Sequence, residues 1–381
     1  MSNQIDTTLF QNQKGETQKF KAAVLTGKET VEILEFPMPE IGENDGLLHV
    51  EACGVCGFDS EAYLNGGNGV FQLPCVIGHE IVGRVSKIGP EAAKRWGVKE
   101  GDRVVVEEYI PCGSCRNCLT GHYHQCFELR YGAVRIDHPK TALWGGFAEY
   151  MYLHPNAIIH KASPDVSPEL LQLYIPISNG IHWVQEVGNA KVGDTVVIQG
   201  PGPMGLGAVI GAKEAGAETI IVTGMSKDAH RLEMAKEFGA THTFFADTQD
   251  VVKEVAAVTD GRMANTVINA ATAPQQLVSS LDLAGERATV VHSATDEKLT
   301  QNLMSSKITW KLLTVKGVLG RPTKAVGVAL RVIESGRYPL EKMVTHSYPI
   351  EQAGEAVHTH AYGKDGCIHV AVVNESLKKE W

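Results

Sequence analysis

The chain has 381 residues, 43% hydrophobic and 21% charged, with a formal net charge of −9. That length exceeds a single core of roughly 250–300 residues and calls for two domains. The acidic balance repels a phosphate backbone, which excludes nucleic acid as a partner, and no apolar run reaches the ~20 residues that cross a bilayer.

The first twenty residues are polar and lack the apolar stretch of an export signal. They read as a mobile arm on a cytoplasmic protein. In a reducing compartment the eight cysteines serve as ligands or buried thiols rather than disulfides. Residues 21–160 carry short apolar runs at 21–25, 48–52, 81–85 and 103–106, broken by turn signals such as Asn44-Asp45-Gly46 and Gly101-Asp102. This is the spacing of an all-β domain. From Thr195 the texture changes to strands at 195–199, 219–223, 243–246, 266–269 and 288–291, alternating with helical stretches at 204–215 and 229–238. Continuous apolar strands alternating with helices predict a parallel sheet covered on both faces. A last helix is expected at 324–335, and a strand at 367–373 that rejoins the first domain.

Within the first domain, Cys112, Cys115, Cys118 and Cys126 fall in one short loop. Four thiolates at that spacing complete a tetrahedral zinc shell with no open position, the mark of a structural site. His122 and His124 lie inside the loop and read as surface residues. Trp144, Tyr109 and Phe58 are candidates for an apolar pocket. Cys53, Cys75 and Cys367 read as buried thiols, and His346, His358 and His360 as exposed.

The strand at 195–199 runs into Gly200-Pro201-Gly202-Pro203-Met204-Gly205, a G-x-G-x-x-G turn opening a helix. Gly200 permits the turn, Gly202 a close approach of pyrophosphate, and Gly205 the packing of helix on strand. Free N–H groups at the helix start favour the phosphates. The position where an acid selects NAD falls on Gly224. Ser226, Lys227 and Arg231 are suited to the 2′-phosphate of NADP, while Asp228 reaches a 2′-hydroxyl from a longer loop or caps the next helix. Either cofactor remains open on these residues.

Gly54-Val55-Cys56-Gly57-Phe58-Asp59 and Gly78-His79-Glu80, with the cysteine loop, Gly145-Gly146-Phe147-Ala148-Glu149-Tyr150 and the glycine turn, complete an ordered set. From about Lys21 onward the chain resembles the medium-chain dehydrogenase/reductase superfamily, zinc-dependent alcohol dehydrogenase branch. The resemblance implies an α/β protein: a GroES-like β-rich catalytic domain at 1–177 with its zinc lobe at 107–127, an inserted Rossmann doubly wound domain at 178–325, and a return to the catalytic domain at 326–381. It implies an active site in the cleft between them and a homodimer or homotetramer. It also implies a catalytic zinc on Cys56 and His79, with Asp59 orienting His79, and cofactor contacts from Asn179, Ala270 and Leu319 besides the glycine turn.

The chain departs from that pattern at two places. The third metal ligand expected of the family falls on Ile175, which cannot bind a metal, and the hydroxyl that relays the alcohol proton is replaced by Phe58. Three readings follow. In one, Glu80 supplies the third ligand and the protein interconverts a small hydrophobic or cyclic secondary alcohol and its ketone. In another, no catalytic zinc is held, and hydride goes to an activated C=C or C=N bond with Tyr174 or His182 as proton donor. In the last, the fold binds nicotinamide without catalysis.

Overall fold

The computed structural model describes residues 19–67, 69–138, 142–273, 275–293, 300 and 302–374. The expected N-terminal arm lies outside these, apart from Lys19 and Phe20, which begin a strand. The chain divides into two units, Met1–Leu173 with Met343–Trp381, and Tyr174–Lys342. The second unit therefore begins before residue 178 and runs on past 325, because the helix Thr323–Glu334 packs on the helix Tyr174–Ile181 and belongs to the same core.

The first unit is built on a mixed sheet in the order Ile159–Lys161, Arg103–Val106, Glu80–Ile88, Gly46–Gly54, His369–Val373, Val344–Pro349, with Tyr150–Leu153 also paired to Gly46–Gly54. The central strands are buried on both faces, so they read as apolar runs rather than alternating ones. The last strand lies antiparallel to Gly46–Gly54 with Ala371 opposite Gly54, so both ends of the chain make this sheet. Leu48, Ile81, Val104, Trp144, Phe147 and Met151 fill one core. Trp144 is part of that core, with Phe58 at its margin, and Tyr109 is buried. Cys53, Cys75 and Cys367 are buried thiols, as expected.

All three histidines expected to be exposed, His346, His358 and His360, are instead half-buried. The helix Ala353–Tyr362 packs on Gly57–Asn65, setting His360 Nδ1 2.7 Å from Ser60 Oγ and His358 Nδ1 3.4 Å from Tyr63 Oη. His124 is likewise buried, edge-on to Tyr109 and Tyr123.

The second unit holds a parallel six-stranded sheet in the order His242–Phe245, Thr219–Gly224, Thr195–Gln199, Ala264–Asn269, Ala284–His292, Thr314–Gly317. Its strand order reverses between Thr195–Gln199 and Ala264–Asn269, the switch point at which such sheets bind ligands. The helices Tyr174–Ile181 and Pro203–Glu214 meet backbone to backbone. A Cβ on Gly180 would overlap Gly207, and one on Gly207 would overlap the Pro176 carbonyl. Among the described residues, no helix is long and apolar enough to cross a membrane.

One buried ionic cluster ties the first unit's sheet. Glu51 accepts from Arg103 Nε at 2.6 Å and Nη2 at 2.8 Å, and from Arg84 Nε at 3.0 Å. Arg103 Nη1 also donates to the Pro164 and Val166 carbonyls, each at 2.8 Å. Breaking a buried pair by removing one partner costs about 3–5 kcal/mol, because the other charge stays buried. Glu51→Ala is expected to lower the unfolding free energy by that order, read as a fall in the urea midpoint with unchanged slope.

Candidate functional site

The cysteine loop is preformed. The sulfurs of Cys112, Cys115, Cys118 and Cys126 all lie within 4.8 Å of one another. Backbone N–H groups point at them: Cys115 donates to Cys112 Sγ at 3.3 Å, Cys118 to Cys115 Sγ at 3.5 Å, and Cys112 to Cys126 Sγ at 3.4 Å. Left-handed turns at Gly113 and Gly121 let the loop close this tightly. The N–H groups of Ser114 and Cys115 pull the Cys112 thiol down to about 6, toward the thiolate that a metal needs. Four converging sulfurs are the donor set of a closed zinc site.

The dinucleotide turn has its own geometry. Gly200 takes φ +99°, and a Cβ on Gly205 would run into the Gly200 carbonyl. Gly202 caps the helix in extended conformation with open space around it, and Pro203 stands at the first helical position, where an N–H is not needed. Met204 Sδ lies 3.4 Å from Asn179 Nδ2. Across the switch point, Ala270 N–H donates to the Gln199 carbonyl at 3.0 Å, and Leu319 follows the edge strand Thr314–Gly317, half-buried. Gly224 ends the second strand. Ser226 is engaged already: its N–H and Oγ donate to Asp247 at 2.9 and 2.5 Å. Asp228 accepts from the Met225 N–H at 3.3 Å and lies 4.0 Å from Arg231, whereas Lys227 is exposed.

In the first unit, Cys56 caps the helix Gly57–Asn65, and Asp59 in its first turn is wholly buried. Asp59 accepts from the Cys56 N–H at 2.9 Å and the Gly78 N–H at 3.3 Å, and its Oδ1 lies 3.4 Å from His79 Nδ1. Burial pushes the Asp59 carboxyl up, but His79 and the two N–H groups outweigh it and hold the acid below its ordinary range. Burial also opposes charge on His79, yet the carboxylate of Asp59 and the charge of Cys56 raise it well above the usual imidazole value. Cys56, His79 and Asp59 are thus brought together as an electrostatic group.

Glu80 does not join them. Its Oε2 lies 2.9 Å from His369 Nε2, outside hydrogen-bonding geometry, and is a buried orphan. Among the described residues, the four cysteines are the one group of three or more Cys, His, Asp or Glu side chains gathered as a metal cage. Two further expectations meet a different arrangement. Tyr174 is fully buried under the Arg321 guanidinium, 5.7 Å from its ring, and His182 is bonded to Glu186 Oε2 at 2.7 Å in a turn of π-helix, His182–Val187. Burial lowers the His182 pKa, with Glu186 opposing. Ile175 is buried in the same helix as Tyr174.

Three residues near this group were not legible in the sequence. Gln172 and His369 lie around Glu80, and Arg130 places its guanidinium 5.6 Å from the Phe58 ring and 5.2 Å from that of Tyr109. They come from segments with no common motif, so no local pattern announces them.

Comparison with known proteins agrees with this geometry. Residues 42–164 match the alcohol dehydrogenase GroES-like domain, and 203–335 the zinc-binding dehydrogenase domain. A Mycobacterium tuberculosis protein named "Probable alcohol dehydrogenase adh" is 37% identical over 91% of this chain and 95% of its own. Sorbitol dehydrogenase of Bacillus subtilis is 31% identical over 93% and 97%. An alcohol dehydrogenase structure from Thermotoga maritima superposes with a TM-score of 0.86, at 25% identity over 94% of this chain and 100% of that one. Similar structures include an Escherichia coli alcohol dehydrogenase with NADH (TM-score 0.80, 26% identity, 93% and 99% covered) and a Sinorhizobium meliloti dehydrogenase bound to NADP (TM-score 0.80, 27%, 93% and 99%).

Proposed function

We propose how substrate and cofactor are handled by this chain, which belongs to the zinc-dependent alcohol dehydrogenase branch of the medium-chain dehydrogenase/reductase superfamily and is an NAD(P)-dependent oxidoreductase. Its reaction is the interconversion of a small secondary alcohol and its ketone, with an apolar or cyclic body against Phe58. The observation that carries this is the Cys56–His79–Asp59 group: a thiol and an imidazole, the latter oriented by a buried carboxylate. The orphaned carboxylate oxygen of Glu80, next in sequence to His79, has the chemistry of the third donor that Ile175 lacks. A catalytic zinc on Cys56, His79 and Glu80 would polarise the carbonyl or alkoxide oxygen. Asp59 faces Nδ1 of His79 and so leaves Nε2 as its donor. With Phe58 in place of a hydroxyl, the alcohol proton has no side-chain acceptor at that position.

A second reading is favoured by one observation: Glu80 stands with His369 rather than with Cys56 and His79. With two donors the catalytic metal is lost, and the same cofactor reduces an activated C=C or C=N bond.

For the ribose end we propose NADP. No carboxylate stands at Gly224, the carboxylates of Asp228 and Asp247 accept from backbone N–H groups, and Lys227 is exposed beside them. We further propose that two copies pair along the strand Thr314–Gly317, a sheet edge with no further strand beside it among the described residues and flanked by exposed Trp310, Leu312 and Val315. None of the eight cysteines is in a disulfide, in keeping with a reducing, cytoplasmic setting.

Elemental analysis is expected to find two zinc ions per chain. Cys118→Ser should remove one and cut thermal stability; Glu80→Gln should remove the other and cut alcohol oxidation at least 100-fold. One zinc in a fully active wild type moves the assignment to the second reading. NADP should exceed NAD in kcat/KM, and Lys227→Glu should shift that ratio at least tenfold toward NAD; an unchanged ratio rejects the phosphate pocket. Light scattering should show a dimer or tetramer, and Leu312→Asp with Val315→Asp a smaller species. A monomeric wild type removes the edge-pairing proposal.

A further inference from the structure

The short antiparallel pair Tyr109–Ile110 and Leu129–Arg130 sets Tyr109 directly opposite Arg130. The Arg130 guanidinium lies 5.2 Å from the Tyr109 ring centroid and 5.6 Å from that of Phe58, so two aromatic rings hold it. Its side chain is only 13% exposed. The carboxylate paired with it, Glu108 Oε1, lies 3.7 Å from Nη2, near enough to offset the charge but beyond hydrogen-bonding distance. The N–H donors of this planar fork therefore have no hydrogen-bond partner among the described residues. Taking a guanidinium out of water and leaving its donors unmet is costly.

Arg130 lines a cavity of about 290 Å³ whose walls include Val70, Leu129 and Val134. His138 and Glu128 also line it. Burial lowers the His138 pKa, which leaves the imidazole neutral at neutral pH, and Glu128 is exposed, where its charge is screened. Arg130 is thus the one fixed cation on this cavity among the described residues. The same segment abuts the Cys56–His79 group. Phe58 stands two residues after Cys56, and a Cβ on Gly132, two residues after Arg130, would come within 3.2 Å of His79 Cβ.

We propose that Arg130 is a specificity-determining residue that receives an oxyanion of the substrate, a carboxylate or a phosphate, so that the substrate is a small secondary alcohol carrying an acid group. This rests on the reading of Cys56 and His79 as the place where the alcohol carbon reacts. The acid group makes and breaks no bond. A fork already held between two rings loses little freedom on binding and offers paired donors to two oxygens. An interaction made equally before and during the reaction lowers KM and leaves kcat unchanged.

The test uses the full chain with its metals and compares matched pairs: β-hydroxybutyrate with its methyl ester, and α-glycerophosphate with glycerol. Wild type is expected to favour one or both acids over the neutral partner at least tenfold in kcat/KM, the scale of one hydrogen bond between charged groups; which acid it favours identifies the oxyanion. Arg130→Met should abolish that preference through KM while leaving the neutral partner within about threefold, and Arg130→Lys, which keeps the charge without the fork, should recover part of it. In parallel, butyrate and inorganic phosphate are titrated calorimetrically into enzyme saturated with oxidised cofactor, with butyramide as the neutral control. Zinc retained in the cysteine loop reports folding. A wild type that favours the neutral partners overturns the anion role and leaves the alcohol reading standing, as does a loss in Arg130→Met shared equally by acid and neutral partner. If no pair is oxidised but anion binding is present and lost in Arg130→Met, the anion site stands and the alcohol reading fails. If there is neither oxidation nor anion binding, both fail.

Discussion

The return of the last strand to the sheet of the first unit is the constraint on which the site depends. His369–Val373 pairs with Gly46–Gly54, and Glu80–Ile88 pairs with the same strand from its other side. The strand Gly46–Gly54 therefore acts as a spine. Cys56 leaves its end, Glu80 pairs with its last residue, and His369 arrives beside it from the far end of the sequence. A local change in the spine moves all three at once. The Glu51 cluster ties the same strand to Arg84 on the adjacent strand and to Arg103 on the strand beyond it, so the spine is held by ionic geometry as well as by the backbone ladder.

Electrostatics then divides the labour within a few residues. Asp59 is buried without solvent, and its charge survives because His79 and two N–H groups offset the desolvation. That carboxylate is fully engaged. Glu80, equally buried, is not. Two buried acids thus stand in different surroundings: Asp59 faces the imidazole of His79, and Glu80 stands beside that of His369.

Much of the fold was legible because its signals are local. A strand, a G-x-G-x-x-G turn and a helix follow one another at 195–214, and the strand Thr195–Gln199 begins and ends where its apolar run does. The cysteine loop is likewise one continuous segment whose spacing encodes its chemistry. What was hidden depends on distant parts of the chain. Nothing near Glu80 announces that His369 and Gln172 meet it, and nothing near Ser226 announces Asp247. Tyr174 and His182 show the same dependence on distant or packed partners. Both are close in sequence to the segment with the missing ligand, but one is sealed under Arg321 and the other is held by Glu186. The extent of the second unit is set in a related way: the helix Thr323–Glu334 joins it through what it packs on, which composition does not reveal.

Ile175 lies in the helix Tyr174–Ile181, which belongs to the second unit and meets Pro203–Glu214 through Gly180 and Gly207 with no room for side chains. Cys56, His79 and Glu80, the donors proposed for a catalytic metal, all belong to the first unit. On that proposal the whole donor set is confined to one unit, while the dinucleotide turn belongs to the other.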